Sequence, residues 1–352
     1  MNENEIQQST ESIVFISNES DYSKQLKSNP NPYILLIGLA GAGKTTLSKR
    51  CVLSTFNCNR YALFVPLMIV DPRQKIDLKC FLINLGVRYF SSDHSFSENQ
   101  IDEALAWLLA NQHKVTLVLD GLDQARFKVA STKDSSDVNV HKKYLPSQLL
   151  FLILSRTFLP GVRLILTSRP HSVLNFSELI RPKFVLYLDD LSEFNMRALM
   201  SFYIQKSHVD QIISKLQEKS PRVQQLIYCP LFLRLFATLV NLSGSDEIWK
   251  IVYSTASLFD ELLGRLQDCA HNAGEIEDTN VMCKIMELAY KKTMERSVVI
   301  DQNDLSNMRI DPNEIQDLAI GVHGDSNSAL VGPSLFYFAH QSIQVSFRCL
   351  KL

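Results

Sequence analysis

Residues 33–45 read YILLIGLAGAGKT: five apolar or aromatic residues, a run of small ones, then a lysine and a threonine. No other stretch restricts the fold so tightly. An unbroken apolar run of this length fits a strand covered on both faces, which is the habit of parallel sheets with helices above and below. The turn after it is G-x-x-x-x-G-K-T, with Gly38, Gly43, Lys44 and Thr45 at the defining places, between a predicted strand and a predicted helix. Successive backbone N–H groups can curl round an anion only where side chains are small or missing, and Gly41 and Ala42 serve that close approach as well. The helix N-terminus adds partial positive charge, Lys44 neutralises β- and γ-phosphate oxygens, and the Thr45 hydroxyl reaches the magnesium those phosphates carry. Thr46 completes the set at the head of the helix. The expected ligands are ATP or ADP with Mg2+.

The chain around this loop alternates. Predicted strands cover 33–37, 61–70, 114–120 and 161–168, and helical patterns open near residues 43, 97 and 146. Ser97 with Gln100 forms a capping-box pair, and Ile101, Ala104, Leu105, Leu108 and Leu109 repeat at helical spacing. A strand-like patch, SIVFIS at 12–17, precedes the proline-marked edge KSNPNP at 27–32, and the polar stretch 131–143 reads as a mobile surface loop. Beyond residue 188 the pattern turns helical, with segments at 192–206, 209–218, 220–228, 231–242, 255–270 and 279–293. The expected organisation is an N-terminal extension (1–30), an α/β nucleotide-binding core (31–188), a helical domain (189–250) and a C-terminal domain (251–352).

Two further strand ends carry chemistry. VTLVLDGLDQ brings Asp120 to the carboxyl end of a buried strand, where open parallel sheets bind their ligands, so Asp120 is the expected magnesium carboxylate. Asp123 and Gln124 are spaced to orient or deprotonate an attacking water. VRLILTSRP ends on Thr167, Ser168 and Arg169, polar groups placed to sense a γ-phosphate, with Arg169 as its contact. A strand-end aspartate can also simply close a turn, Asp123 can be ordinary surface polarity, and Arg169-Pro170 can merely stop a strand.

The 36 basic and 37 acidic residues leave a net charge of −1, which attracts neither nucleic acid nor an anionic membrane. Seven scattered cysteines, none spaced as C-x-x-C, suit a reducing compartment better than a disulfide framework or a zinc site. No signal-peptide pattern or apolar span is legible, so a soluble, cytoplasmic protein is expected.

These motifs resemble those of the NACHT-type signalling NTPases, the nucleotide-binding switch of NOD-like receptors in innate immunity, within the STAND class of P-loop proteins. The resemblance rests on GLAGAGKTT, LVLDGLDQ and LILTSRP, continues into YCPLFLRLFATL (228–239), and ends with FAHQSIQVSF (338–347), which is similar to the F-x-H-x-x-x-Q motif of the family's winged-helix domain. It implies a P-loop core, then an all-α helical domain, then a winged-helix domain that this chain carries in part. It also implies that Pro230 packs on the adenine and that His340 reaches the β-phosphate of ADP. Without the resemblance, Pro230 reads as a helix start and His340 as a core histidine. The expected behaviour is a form closed by ADP that opens with ATP and self-associates, working with protein partners that supply effector or sensor function. Gln124 stands where the family usually has glutamate, and Gln344-Val345 where it has Q-E; a glutamine takes no proton from water, so slow hydrolysis is implied. A P-loop ATPase or kinase with true turnover, or a nucleotide-bound scaffold that never cycles, are the competing expectations. Neither effector-domain nor repeat patterns accompany the motifs.

Overall fold

A computed structural model describes residues 13–16, 33–56, 61–84, 97–130, 138–173, 176–182, 184–243, 257, 261, 279–295, 299–300, 302–311 and 336–337. They fall into two compact units. The first holds the described residues up to Leu39 and from Lys44 to Asp189; the second holds Ala40–Gly43 and those from Asp190 onward.

The first unit is built on one sheet of β1 (Ile13–Ile16), β2 (Tyr33–Gly38), β3 (Tyr61–Pro66), β4 (Val115–Asp120), β5 (Arg163–Ser168) and β6 (Phe184–Leu188). The strand order is β1-β6-β2-β5-β4-β3, and every neighbouring pair is parallel. Strands β2, β4 and β5 are buried at every position, as continuous apolar runs covered on both faces must be. Alternate residues serve opposite faces. Leu35, Ile37, Leu117, Leu119, Leu164 and Leu166 join one cluster, while Ile34, Leu36, Val118 and Ile165 join another with Cys51 and Val52. Those two cysteine and valine side chains come from α1 (Lys44–Phe56); the larger cluster takes Leu105 and Leu108 from α2 (Glu98–Ala110) and Leu149 to Leu154 from α3 (Pro146–Leu154). A single short turn, α4 (Pro170–Val173), follows β5.

The capping box stands at the head of α2: Ser97 N donates to Gln100 Oε1 at 2.9 Å, and Gln100 N donates to Ser97 Oγ at 3.3 Å. The apolar run from 61 to 70 is divided. Its strand ends at Pro66, which has no N–H to give a ladder, and a 3₁₀ turn takes over at Leu67–Ile69. The strand β6 has no counterpart in the sequence reading; its five-residue run is too short to declare itself, and it lies between β1 and the strand that feeds the glycine-rich loop.

The second unit is helical, with α5 (Glu193–Tyr203), α6 (Lys206–Lys219), α7 (Pro221–Leu226), α8 (Pro230–Ser243), α9 (Thr279–Met294) and α10 (Gln302–Met308). Its core gathers Met196, Met200, Ile212, Leu216, Val223, Leu233 and Phe236. Ser192 caps α5, accepting from Asn195 N at 3.3 Å, and Pro221 and Pro230 each occupy a first helical position, where the missing N–H is harmless. An antiparallel pair, β7 (Val299–Ile300) with β8 (Phe336–Tyr337), completes the described elements. Most of the helix expected at 255–270, part of the polar stretch at 131–137, and the 338–347 motif with His340 lie outside the described residues.

Candidate functional site

The glycine-rich loop begins where β2 ends. Gly41 and Gly43 take φ of 81° and 94°, left-handed values that strain any residue with a Cβ, so the tight curl depends on glycine at both places. Lys44 opens α1 and folds its side chain back over the turn, its Nζ donating to Gly38 O at 2.7 Å and Leu39 O at 2.8 Å. Thr45 Oγ1 donates to Asp120 Oδ2 at 2.8 Å, joining the helix head to the end of β4. Thr46, the next residue along, is exposed.

Asp120 is 6% exposed and both its oxygens are engaged, because Thr167 Oγ1 donates to Oδ1 at 2.8 Å. The same Thr167 hydroxyl accepts from Gly121 N at 2.8 Å, fixing the left-handed turn that follows Asp120. Burial pushes the Asp120 carboxyl above its ordinary value, against the lowering effect of the Thr167 and Thr45 hydrogen bonds, and the neighbouring Asp123 charge pushes the same way as burial. The double role of Thr167 was not foreseen; the sequence marks it only as one of the polar residues that close the strand.

Past Gly121 the chain makes one 3₁₀ turn, Leu122–Gln124. Asp123 Oδ2 lies 2.9 Å from Arg169 Nε, with the aspartate side chain 5% exposed and the arginine 21%. Gln124 leans back over the turn, its Oε1 only 3.0 Å from where a Cβ on Gly121 would stand. The first unit therefore brings Lys44, Thr45, Asp120, Asp123, Gln124 and Arg169 to the carboxyl ends of β2, β4 and β5. Register explains the meeting: Ser168 pairs with Ile37, and Leu119 with Leu166, so three strand ends lie side by side.

Within the second unit, the loop tip meets the start of α8. Cys229 Sγ is 3.8 Å from Ala40 O, and a Cβ on Gly41 would stand 2.9 Å from Cys229 Sγ and 3.1 Å from Leu231 Cβ. Ala42 is buried, and Pro230 is half-buried at the first position of α8.

The donor set fits magnesium. Thr45 and Asp120 offer two hard oxygens 2.8 Å apart, and among the described residues no group of three or more His, Cys, Asp or Glu converges. That is how magnesium is usually held, by one or two protein oxygens with the remainder supplied by phosphates and water. The paired left-handed glycines before a 13-residue helix likewise fit a polyphosphate.

Residues 32–207 match the NACHT domain. The human "NACHT, LRR and PYD domains-containing protein 7" is 23% identical over 324 residues, covering 89% of this chain and 31% of that protein. Human "NACHT, LRR and PYD domains-containing protein 2" is 21% identical across 90% of this chain and 29% of its own length. The chain thus spans about a third of the length of the curated relatives it matches. A solved structure, Cdc6p from Pyrobaculum aerophilum, aligns over 95% of this chain and 93% of its own at 10% identity and a TM-score of 0.39, a likeness that carries no functional weight. The motif order, the strand ends that gather it and a domain match over half the length agree: this chain belongs to the NACHT family.

Proposed function

We propose that this chain is a nucleotide-operated signalling switch, closed with ADP and opened by ATP into a form that self-associates, with slow hydrolysis. The observation that carries this reading is the meeting of Lys44, Thr45 and Asp120 with the Asp123–Arg169 pair at three adjacent strand ends. Lys44 would turn from the carbonyls of Gly38 and Leu39 to the phosphates, and the backbone of Gly41, Ala42 and Gly43 would line the anion with N–H groups. Thr45 and Asp120 would hold Mg2+, with Thr46 beside them at the head of the helix. Bound magnesium supplies charge neutralisation at the phosphate oxygens. Arg169 would report the γ-phosphate, Asp123 would receive the proton of an attacking water, and Gln124 would orient that water without accepting its proton. The reading gives Pro230 to the adenine and His340 to the β-phosphate of ADP. It takes 189–250 as the helical domain and 251–352 as a winged-helix-like domain, in a cytoplasmic protein whose partners act as effector or sensor in innate immunity.

The test is the nucleotide that copurifies. The protein is denatured and the supernatant chromatographed, with Lys44→Ala as control. Near-stoichiometric ADP in the native protein, lost in the variant, supports the switch. An empty site with rapid turnover of added ATP moves the assignment to a P-loop ATPase or kinase. ADP that never exchanges moves it to a static scaffold.

A further inference from the structure

Asp123 carries its carboxylate almost out of water, with 5% of the side chain exposed, and such a charge is tolerable only beside a countercharge. Arg169 provides one, its Nε lying 2.9 Å from Asp123 Oδ2. Arg169 also follows Ser168, the register partner of Ile37, one residue before the loop's first glycine. The backbone at Arg169 therefore leaves β5 beside the strand end from which the phosphate loop departs.

We infer that Asp123 is a specificity-determining residue of the site, competing with the third phosphate of a nucleoside triphosphate for Arg169. This rests on the nucleotide-switch reading above. A diphosphate has no group to offer there, so the Asp123–Arg169 pair survives its binding. A triphosphate presents more negative charge than one carboxylate, and a guanidinium accommodates planar or forked oxyanions equally well. Taking Arg169 leaves Asp123 buried and uncompensated, a cost that falls on the triphosphate alone. The pair thus holds triphosphate affinity below what the loop and Arg169 could give. It also ties release of Asp123 to arrival of the γ-phosphate. Because Gln124 takes no proton, Asp123 is the one carboxylate past Asp120 on this turn that the exchange can expose.

The experiment compares the dissociation constants of ADP and of a non-hydrolysable β,γ-imido ATP analogue, each with Mg2+, for the full chain and its variants. Asp123→Asn keeps the shape and removes the competing charge. It is expected to tighten the analogue about tenfold and leave ADP within about twofold, a preference no general loosening of the fold produces. Asp123→Glu is expected to restore the native ratio. Arg169→Gln is expected to bring the two nucleotides to similar affinity, and adding Asp123→Asn to it is expected to change the ratio no further, which keeps the test decisive even if one single variant folds poorly. An analogue-to-ADP ratio of dissociation constants that stays the same or rises in Asp123→Asn overturns the inference while leaving the nucleotide site standing. Failure of the native chain to bind either nucleotide overturns the site reading, and the inference with it.

Discussion

Thr167 carries more of the site than its size implies. Its hydroxyl donates to Asp120 Oδ1 and accepts from Gly121 N, each at 2.8 Å, so one buried oxygen sets both the carboxylate orientation and the left-handed turn behind it. Thr167→Val keeps the shape and strands both partners in a buried site. It is expected to lower the free energy of unfolding by about 2–4 kcal/mol, and urea unfolding measures it. Asp120 has its own signature. Its pKa in the folded chain lies above the ordinary 3.8. A carboxyl raised on folding contributes stability that is fully present below its unfolded pKa and lost as pH rises through the folded value. In the absence of metal, Asp120→Asn is therefore expected to gain on the native protein as pH rises from about 4 toward neutrality, with little difference at more acid pH; parallel urea midpoints would sink this account. Asp120 itself was legible in the sequence, because an acid closing the mostly apolar run VTLVL marks a strand end. The role of Thr167 was not, because it depends on a register that brings residues 47 positions apart into contact.

Elements announced themselves in proportion to their local signals. The capping box of α2 and the turn glycines of the loop are written in adjacent residues, and the structure keeps both. Strand β6 and the placing of β1 beside it rest on long-range pairing, for which a four- or five-residue apolar run holds too little information. The loop glycines look equivalent in sequence and differ in space. At Gly43 a Cβ would meet nothing within 4 Å, whereas at Gly41 it would stand 2.9 Å from Cys229 Sγ, and both positions are left-handed. Gly43→Ala is then expected to cost only the backbone strain, about 1–2 kcal/mol, and Gly41→Ala that strain plus a clash with the start of α8. Cys229→Ala removes the clashing sulfur, so a double-mutant cycle is expected to show it recovering about 1 kcal/mol in the Gly41→Ala background, read by chemical denaturation without nucleotide. Additive effects would mean that Cys229 does not limit the loop.

For the molecule as a whole, the switch reading needs nucleotides that differ in their preference for two states, since a ligand that binds both equally moves nothing however tightly it binds. Carrying a population from 1:99 to 99:1 takes a differential of about 5.5 kcal/mol between the states. The proposal assigns that differential to two places, Arg169 with the γ-phosphate and His340 with the diphosphate. Sedimentation velocity on the full chain, saturated with ADP or with the non-hydrolysable analogue, reads the result directly. The ADP form is expected to sediment as a compact monomer and the analogue form as larger species whose share grows with protein concentration. His340→Ala is expected to weaken ADP about tenfold and to let part of the ADP-saturated protein associate, while Lys44→Ala removes the response to either nucleotide. Identical profiles with both nucleotides would leave a nucleotide-bound scaffold as the surviving account. In that case the buried Asp123–Arg169 pair would still set which nucleotide the scaffold keeps, but no change of state would follow from the choice.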